Sequence, residues 1–128
     1  MIEPRRHMPT QPANERIRNF DEVALGYTAK LAKDEADRCL NCKNAPCMSG
    51  CPVGVHIPDF IANVKQGNIQ GAYRVWKNDN NLAAICGRVC PQENQCEKHC
   101  VRKDKLGGSV AIGNLERYVA DQAIANGY

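Results

Sequence analysis

Eight cysteines fall in two short stretches of this 128-residue chain, and nowhere else in it. The first stretch reads Cys39-x2-Cys42-x4-Cys47-x3-Cys51-Pro52, and the second Cys86-x3-Cys90-Pro91-x4-Cys96-x3-Cys100. Thiols at that density form disulfides in a secreted chain or bind metal in a reducing compartment. The N-terminal residues lack an apolar core of signal-peptide length, and no apolar run approaches membrane-spanning length, so the expectation is a cytoplasmic, metal-binding chain with no membrane partner.

The spacing narrows the metal. Three sulfurs from one loop converge on an inorganic cube while inward-turned backbone N–H groups reach its sulfides. A fourth cysteine followed by proline ligates the other cluster of a pair in the bacterial ferredoxin pattern, and Cys51-Pro52 has that position. Zinc knuckles place two compact Cys-x2-4-Cys pairs far apart, which fits these stretches less well. The alternative from a different class is nonetheless a zinc-stabilised module that docks subunits. His7, His56 and His99 have no knuckle spacing to complete a mixed Cys/His site. The formal charge of +3 is too small for a nucleic-acid footprint, and Trp76 and Tyr73 fit a helical core face rather than a base-stacking platform.

Between the cysteines the pattern is helical. Thr28 is a candidate N-cap for a helix that places Leu31, Ala32, Glu35 and Ala36 on one face and delivers Cys39. Pro58 suits the first turn of a helix through Phe60, Ile61 and Val64 that stops at Gly67. Asn68 caps a third helix with Ile69, Ala72, Tyr73 and Trp76 in register, and a short helix from Leu82 carries Cys86 and Cys90. After Gly107-Gly108, Ser109 opens a last amphipathic helix with Val110, Ile112, Leu115, Val119 and Ile124. No alternating strand pattern of useful length occurs. Gly50 and Gly87 either let the backbone approach a cluster or simply serve turns. The expected architecture is all-α, with an extended Pro-containing arm over residues 1–19 and a helical domain over 20–128.

The blocks Arg38-Cys39-Leu40-Asn41-Cys42-Lys43-Asn44-Ala45-Pro46-Cys47, Gly50-Cys51-Pro52-Val53, Ile85-Cys86-Gly87-Arg88-Val89-Cys90-Pro91 and Ile112-Gly113-Asn114-Leu115-Glu116-Arg117 resemble one family. It is the N-terminal, alpha-helical ferredoxin-like domain of the glutamate synthase small subunit, shared with dihydropyrimidine dehydrogenase and with the electron-bifurcating NADH-dependent ferredoxin:NADP oxidoreductase. The resemblance runs from about Asn19 to Tyr128, and Phe20 to Thr28 looks most like the glutamate synthase side. It implies two [4Fe-4S] clusters with interleaved ligands: Cys39, Cys42, Cys47 and Cys100 at one, Cys51, Cys90, Cys96 and Glu116 at the other. Glu116 stands where the family puts a side-chain oxygen ligand, and Cys86 is left as a spare thiol beside the second cluster. The resemblance also implies FAD and NAD(P)H domains C-terminal to this segment in the parent chain, and a redox subunit or domain as partner. No G-x-G-x-x-G fingerprint follows a strand here, so the expectation is a fragment that ends before the flavin domain and carries no substrate-site catalytic residues.

Overall fold

A computed structural model describes residues 3–105 and 107–128. Its helices are α1 (Ala13–Arg16), α2 (Ala29–Ala36), α3 (Pro46–Ser49), α4 (Ile57–Lys65), α5 (Ile69–Asp79), α6 (Ala83–Val89) and α7 (Ile112–Asn126), with 3₁₀ turns at Gln92–Asn94 and Glu97–His99. Among the described residues there is no sheet, only an antiparallel bridge between Thr10 and Ala24. The domain is therefore all-α, as the sequence pattern implies.

Local chemistry sets the helix starts. The Thr28 hydroxyl accepts from the Leu31 N–H at 3.2 Å, and the Asn68 side-chain Oδ1 accepts from the Gly71 N–H at 3.1 Å, each satisfying an N–H with no partner in the first turn. Pro58 sits in the first turn of α4, where its missing N–H costs nothing. Gly67, at φ +73°, turns the chain out of α4 in the left-handed region.

Helix α7 is the centre of the fold, packing against α6, α5, α2 and α4. The core combines Ile57, Phe60, Ile61 and Val64 of α4, Ala72 and Trp76 of α5, and Ile112, Leu115 and Val119 of α7. Phe60 and Trp76 meet with ring centroids 5.0 Å apart at 52°, a tilted arrangement that suits the aromatic quadrupoles. Each fully buried Phe, Ile or Leu contributes about 1.5–3 kcal/mol of transfer free energy. Two expectations change here. Ser109 does not cap α7: the helix begins three residues later, and the Ser109 hydroxyl instead donates to the Glu97 carbonyl at 2.7 Å. Ile124 is exposed, because α7 outruns the partners that bury its earlier turns.

The arm folds back on the domain. The Gln11 N–H donates to the Val23 carbonyl and the Leu25 N–H to the Pro9 carbonyl, both at 2.8 Å, and residues 13–16 form a single helical turn. Nearer the terminus, the Arg5 N–H reaches the Gly107 carbonyl (3.0 Å) and the Arg6 N–H reaches a Glu35 carboxylate oxygen (2.7 Å).

Beneath this arm lies a buried ionic cluster. Arg38 and Glu35 are both fully buried and pair at 2.6 Å. The Arg38 guanidinium also donates to the carbonyls of Glu3, Gly107 and Ser109, while Glu35 accepts from the Ala111 N–H at 2.8 Å. One charged pair thus joins the arm, the end of α2 and the loop that leads into α7.

Candidate metal centre

The two cysteine stretches close around two cavities. Cys39, just beyond α2, Cys42 in the following loop, Cys47 on α3 and Cys100 after the second 3₁₀ turn line the first cavity. Its other walls are apolar, including Leu40, Pro46, Ile57, Ile61, Val101 and Ile112. Asn41, between the first two cysteines, adopts φ +51° and turns the loop tightly. Arg102 donates to the Arg38 carbonyl at 3.0 Å and Lys65 to the Cys39 carbonyl at 2.8 Å, so the chain around Cys39 is held from the Cys100 side and from α4.

Cys51, Cys90 and Cys96 line the second cavity together with Glu116 of α7 and Cys86 of α6. Pro52, Trp76, Asn80 and Leu82 complete much of its wall, and Ile57 faces both cavities. Each stretch therefore serves both sites. Cys47 and Cys51 stand four residues apart and line different cavities, as do Cys96 and Cys100.

Two glycines make this closure possible. A Cβ on Gly50 would lie 2.5 Å from His99 Nδ1 and 2.6 Å from the Gln95 carbonyl oxygen, so the absence of a side chain lets the two cysteine-bearing loops touch. A Cβ on Gly87 would lie 2.7 Å from the Arg117 nitrogen, so α6 and α7 meet backbone to backbone there. That contact sets Cys86 and Glu116, the preceding residue on each helix, along the same cavity.

All eight cysteines are free thiols. Burial raises the pKa of Cys39, and takes Cys47 up to about 11, with further upward pushes from the Cys39 and Cys100 sulfurs. Burial likewise takes Cys90 to about 11 and Cys96 to about 12, with Cys86 adding to the first and Glu97 to the second. These thiols hold their protons because the surroundings do not compensate a thiolate, so binding metal must release protons. Among the described residues, no group of three or more His, Cys, Asp or Glu side chains is arranged to hold a single metal ion.

Glu116 carries the most informative chemistry. It is 3% exposed, and its Oε1 is buried without a hydrogen-bond partner. Burial raises its carboxyl to about 8. The basic neighbour available in sequence, Arg117, turns away to pair with Glu22 and Asp121. An unpaired buried oxygen costs about 1–3 kcal/mol unless something binds it. The four thiols of this cavity and this oxygen are all donors that iron accepts, the thiols soft and the oxygen hard. The Trp76 indole nitrogen, on a second residue lining this cavity, is also buried without a partner. Sequence reasoning missed the burial of the Glu35–Arg38 pair and the Arg102 tie, because the backbone N–H and carbonyl groups that satisfy them are remote in the chain and carry no motif.

A small all-α domain whose loops interleave two cysteine groups around two cavities has the build of a helical iron-sulfur domain. The family described as dihydropyrimidine dehydrogenase domain II, 4Fe-4S cluster, matches residues 16–128, and the chain belongs to that family. Among curated relatives, AegA of Escherichia coli (strain K12), named an oxidoreductase, is 45% identical over 98% of this chain and 19% of its own length. The glutamate synthase [NADPH] small chain of Azospirillum brasilense is 37% identical over 92% of this chain and 24% of its own. The NAD-dependent dihydropyrimidine dehydrogenase subunit PreT of Escherichia coli (strain K12) is 39% identical over 80% of this chain and 24% of its own. The chain thus spans about a fifth to a quarter of the length of these relatives, and corresponds to an iron-sulfur, electron-transfer domain of such oxidoreductases. Among the described residues no helix is long and apolar enough to cross a membrane.

Proposed function

We propose that this chain holds two [4Fe-4S] clusters and relays electrons within a larger NAD(P)H-dependent flavoprotein resembling the glutamate synthase small subunit. One cluster is held by Cys39, Cys42, Cys47 and Cys100, the other by Cys51, Cys90, Cys96 and Glu116. When bound, the clusters supply one-electron steps between a flavin, reduced by NAD(P)H in a C-terminal part of the parent chain, and a redox centre in a partner subunit or domain.

The observation that carries this reading is the division of donors. Four thiols surround one cavity, and four thiols, Cys86 among them, surround the other together with the buried, unpartnered carboxyl oxygen of Glu116, which the first cavity lacks. Ile57 lines both cavities, and much of the remaining wall of each is apolar. Seven thiolates and the iron charges leave the loaded domain close to neutral, which suits a relay that docks against other parts of a protein.

Cys47→Ser and Cys96→Ser test the sorting. In anaerobically reconstituted protein, each is expected to lower iron and sulfide by about four per chain or to degrade a single cluster, and the two variants are expected to leave different reduced EPR signals behind. Loss of the same signal in both variants would refute the division.

A further inference from the structure

Cys86 is a fifth protein donor at a cavity where an iron-sulfur cube needs four. Its thiol is half-buried and accepts from the Asn80 amide at 3.3 Å. The carbonyl of Cys86 is held in turn by Gln92 Nε2 at 3.2 Å. Glu116 Oε1, buried and unpartnered, comes to the same cavity from α7. Gly87 brings the α6 backbone against Arg117, and the residue before each of them, Cys86 and Glu116, lines this cavity.

We propose that Cys86 is a reserve ligand of the second cluster, able to take the iron position that Glu116 occupies. The inference rests on the assignment of Glu116 to that cluster. The exchange breaks one iron–oxygen bond and makes one iron–sulfur bond. The Cys86 thiol loses its proton to the departing carboxylate, and no electron changes hands. The reason for a reserve is the mixed donor set. A carboxylate is the hardest of the four ligands and the least suited to iron in a sulfide cube, so the iron it holds is the one most readily lost. A thiolate beside it retains that iron.

The polar cavity between the arm and α6, lined by Glu22, Arg88 and Arg117, has its charges mutually paired.

The test uses anaerobically reconstituted wild-type chain, Glu116→Ala, Cys86→Ala and the double variant. Readouts are iron per chain, the EPR signal of a three-iron cluster in oxidised protein, and alkylation of Cys86 followed by mass spectrometry. The expected result is full iron, about eight per chain, in both single variants, and loss of about one iron with a three-iron signal in the double variant only. Cys86 is expected to react with iodoacetamide in loaded wild type and to be protected in loaded Glu116→Ala, a readout that does not need the double variant to fold. If Glu116→Ala alone loses the iron and leaves Cys86 reactive, the reserve role is overturned while Glu116 stands as ligand. If the double variant keeps all its iron, the assignment of Glu116 itself fails. If Cys86→Ala alone loses the iron, Cys86 is the resident ligand and both statements fall.

Discussion

The Arg38→Met substitution isolates the buried cluster that ties the arm to the cysteine loops. Arg38 is 1% exposed, and its guanidinium bonds to Glu35 at 2.6 Å and to carbonyls of Glu3 (3.0 Å), Gly107 (2.9 Å) and Ser109 (3.1 Å). Methionine fills much of the same space without the charge. Removing one partner of a buried ion pair typically costs about 3–5 kcal/mol, because the remaining charge has lost its compensation. That is a fall of about two to three and a half powers of ten in the folding equilibrium. Here the Arg6 and Ala111 N–H groups still solvate Glu35, which argues for the lower half of the range. The control is Arg88→Ala. Arg88 pairs with Glu22 at 3.0 Å, but the two side chains are 30% and 57% exposed, and such pairs contribute about 0–1 kcal/mol. Urea unfolding followed by far-UV circular dichroism measures both in the same buffer. A loss below about 1 kcal/mol for Arg38→Met, indistinguishable from Arg88→Ala, would refute the reasoning.

Gly87→Ala adds a helix-favouring methyl in the interior of α6, a gain of about 1 kcal/mol where space allows. The Cβ would lie 2.7 Å from the Arg117 nitrogen and 2.8 Å from its Cα, and backbone cannot rotate aside, so a net loss of about 1–3 kcal/mol is expected by denaturant unfolding. Tyr27 gives a pH signature. Burial raises its phenol pKa, and the hydroxyl donates to the Arg6 carbonyl at 2.6 Å. A group whose folded pKa is raised contributes stability that is present below its unfolded pKa, about 10, and lost as pH rises through the folded value. The urea midpoint of the wild-type chain is therefore expected to fall more steeply than that of Tyr27→Phe above about pH 10, and parallel curves would contradict it.

Features written in short windows of sequence were legible; features made by distant partners were not. Thr28, Asn68 and Pro58 act within one helical turn, and each starts the helix expected of it. The cysteine spacing pointed to two joint sites, and the structure brings those thiols to two cavities. Ser109 had the look of a cap, yet its hydroxyl is taken by the Glu97 carbonyl across the fold, and α7 starts at Ile112 without a side-chain cap. Gly50 and Gly87 were ambiguous because the backbones they admit belong to other elements. Ile124 kept its helical register but lost its partners near the end of α7. Glu35 read as one more residue on a helix face, whereas its burial depends on Arg38, the arm and the loop into α7. At the site, Glu116 came from resemblance alone; its unpartnered oxygen is a structural observation that no spacing contains.

Metal and acid-labile sulfide counted on the same anaerobically prepared sample, with an absorption spectrum, test the central claim most directly. The account requires about eight iron and eight sulfide per chain, with broad absorption near about 400 nm that bleaches on reduction. A colourless protein carrying about two zinc ions and no sulfide would contradict it.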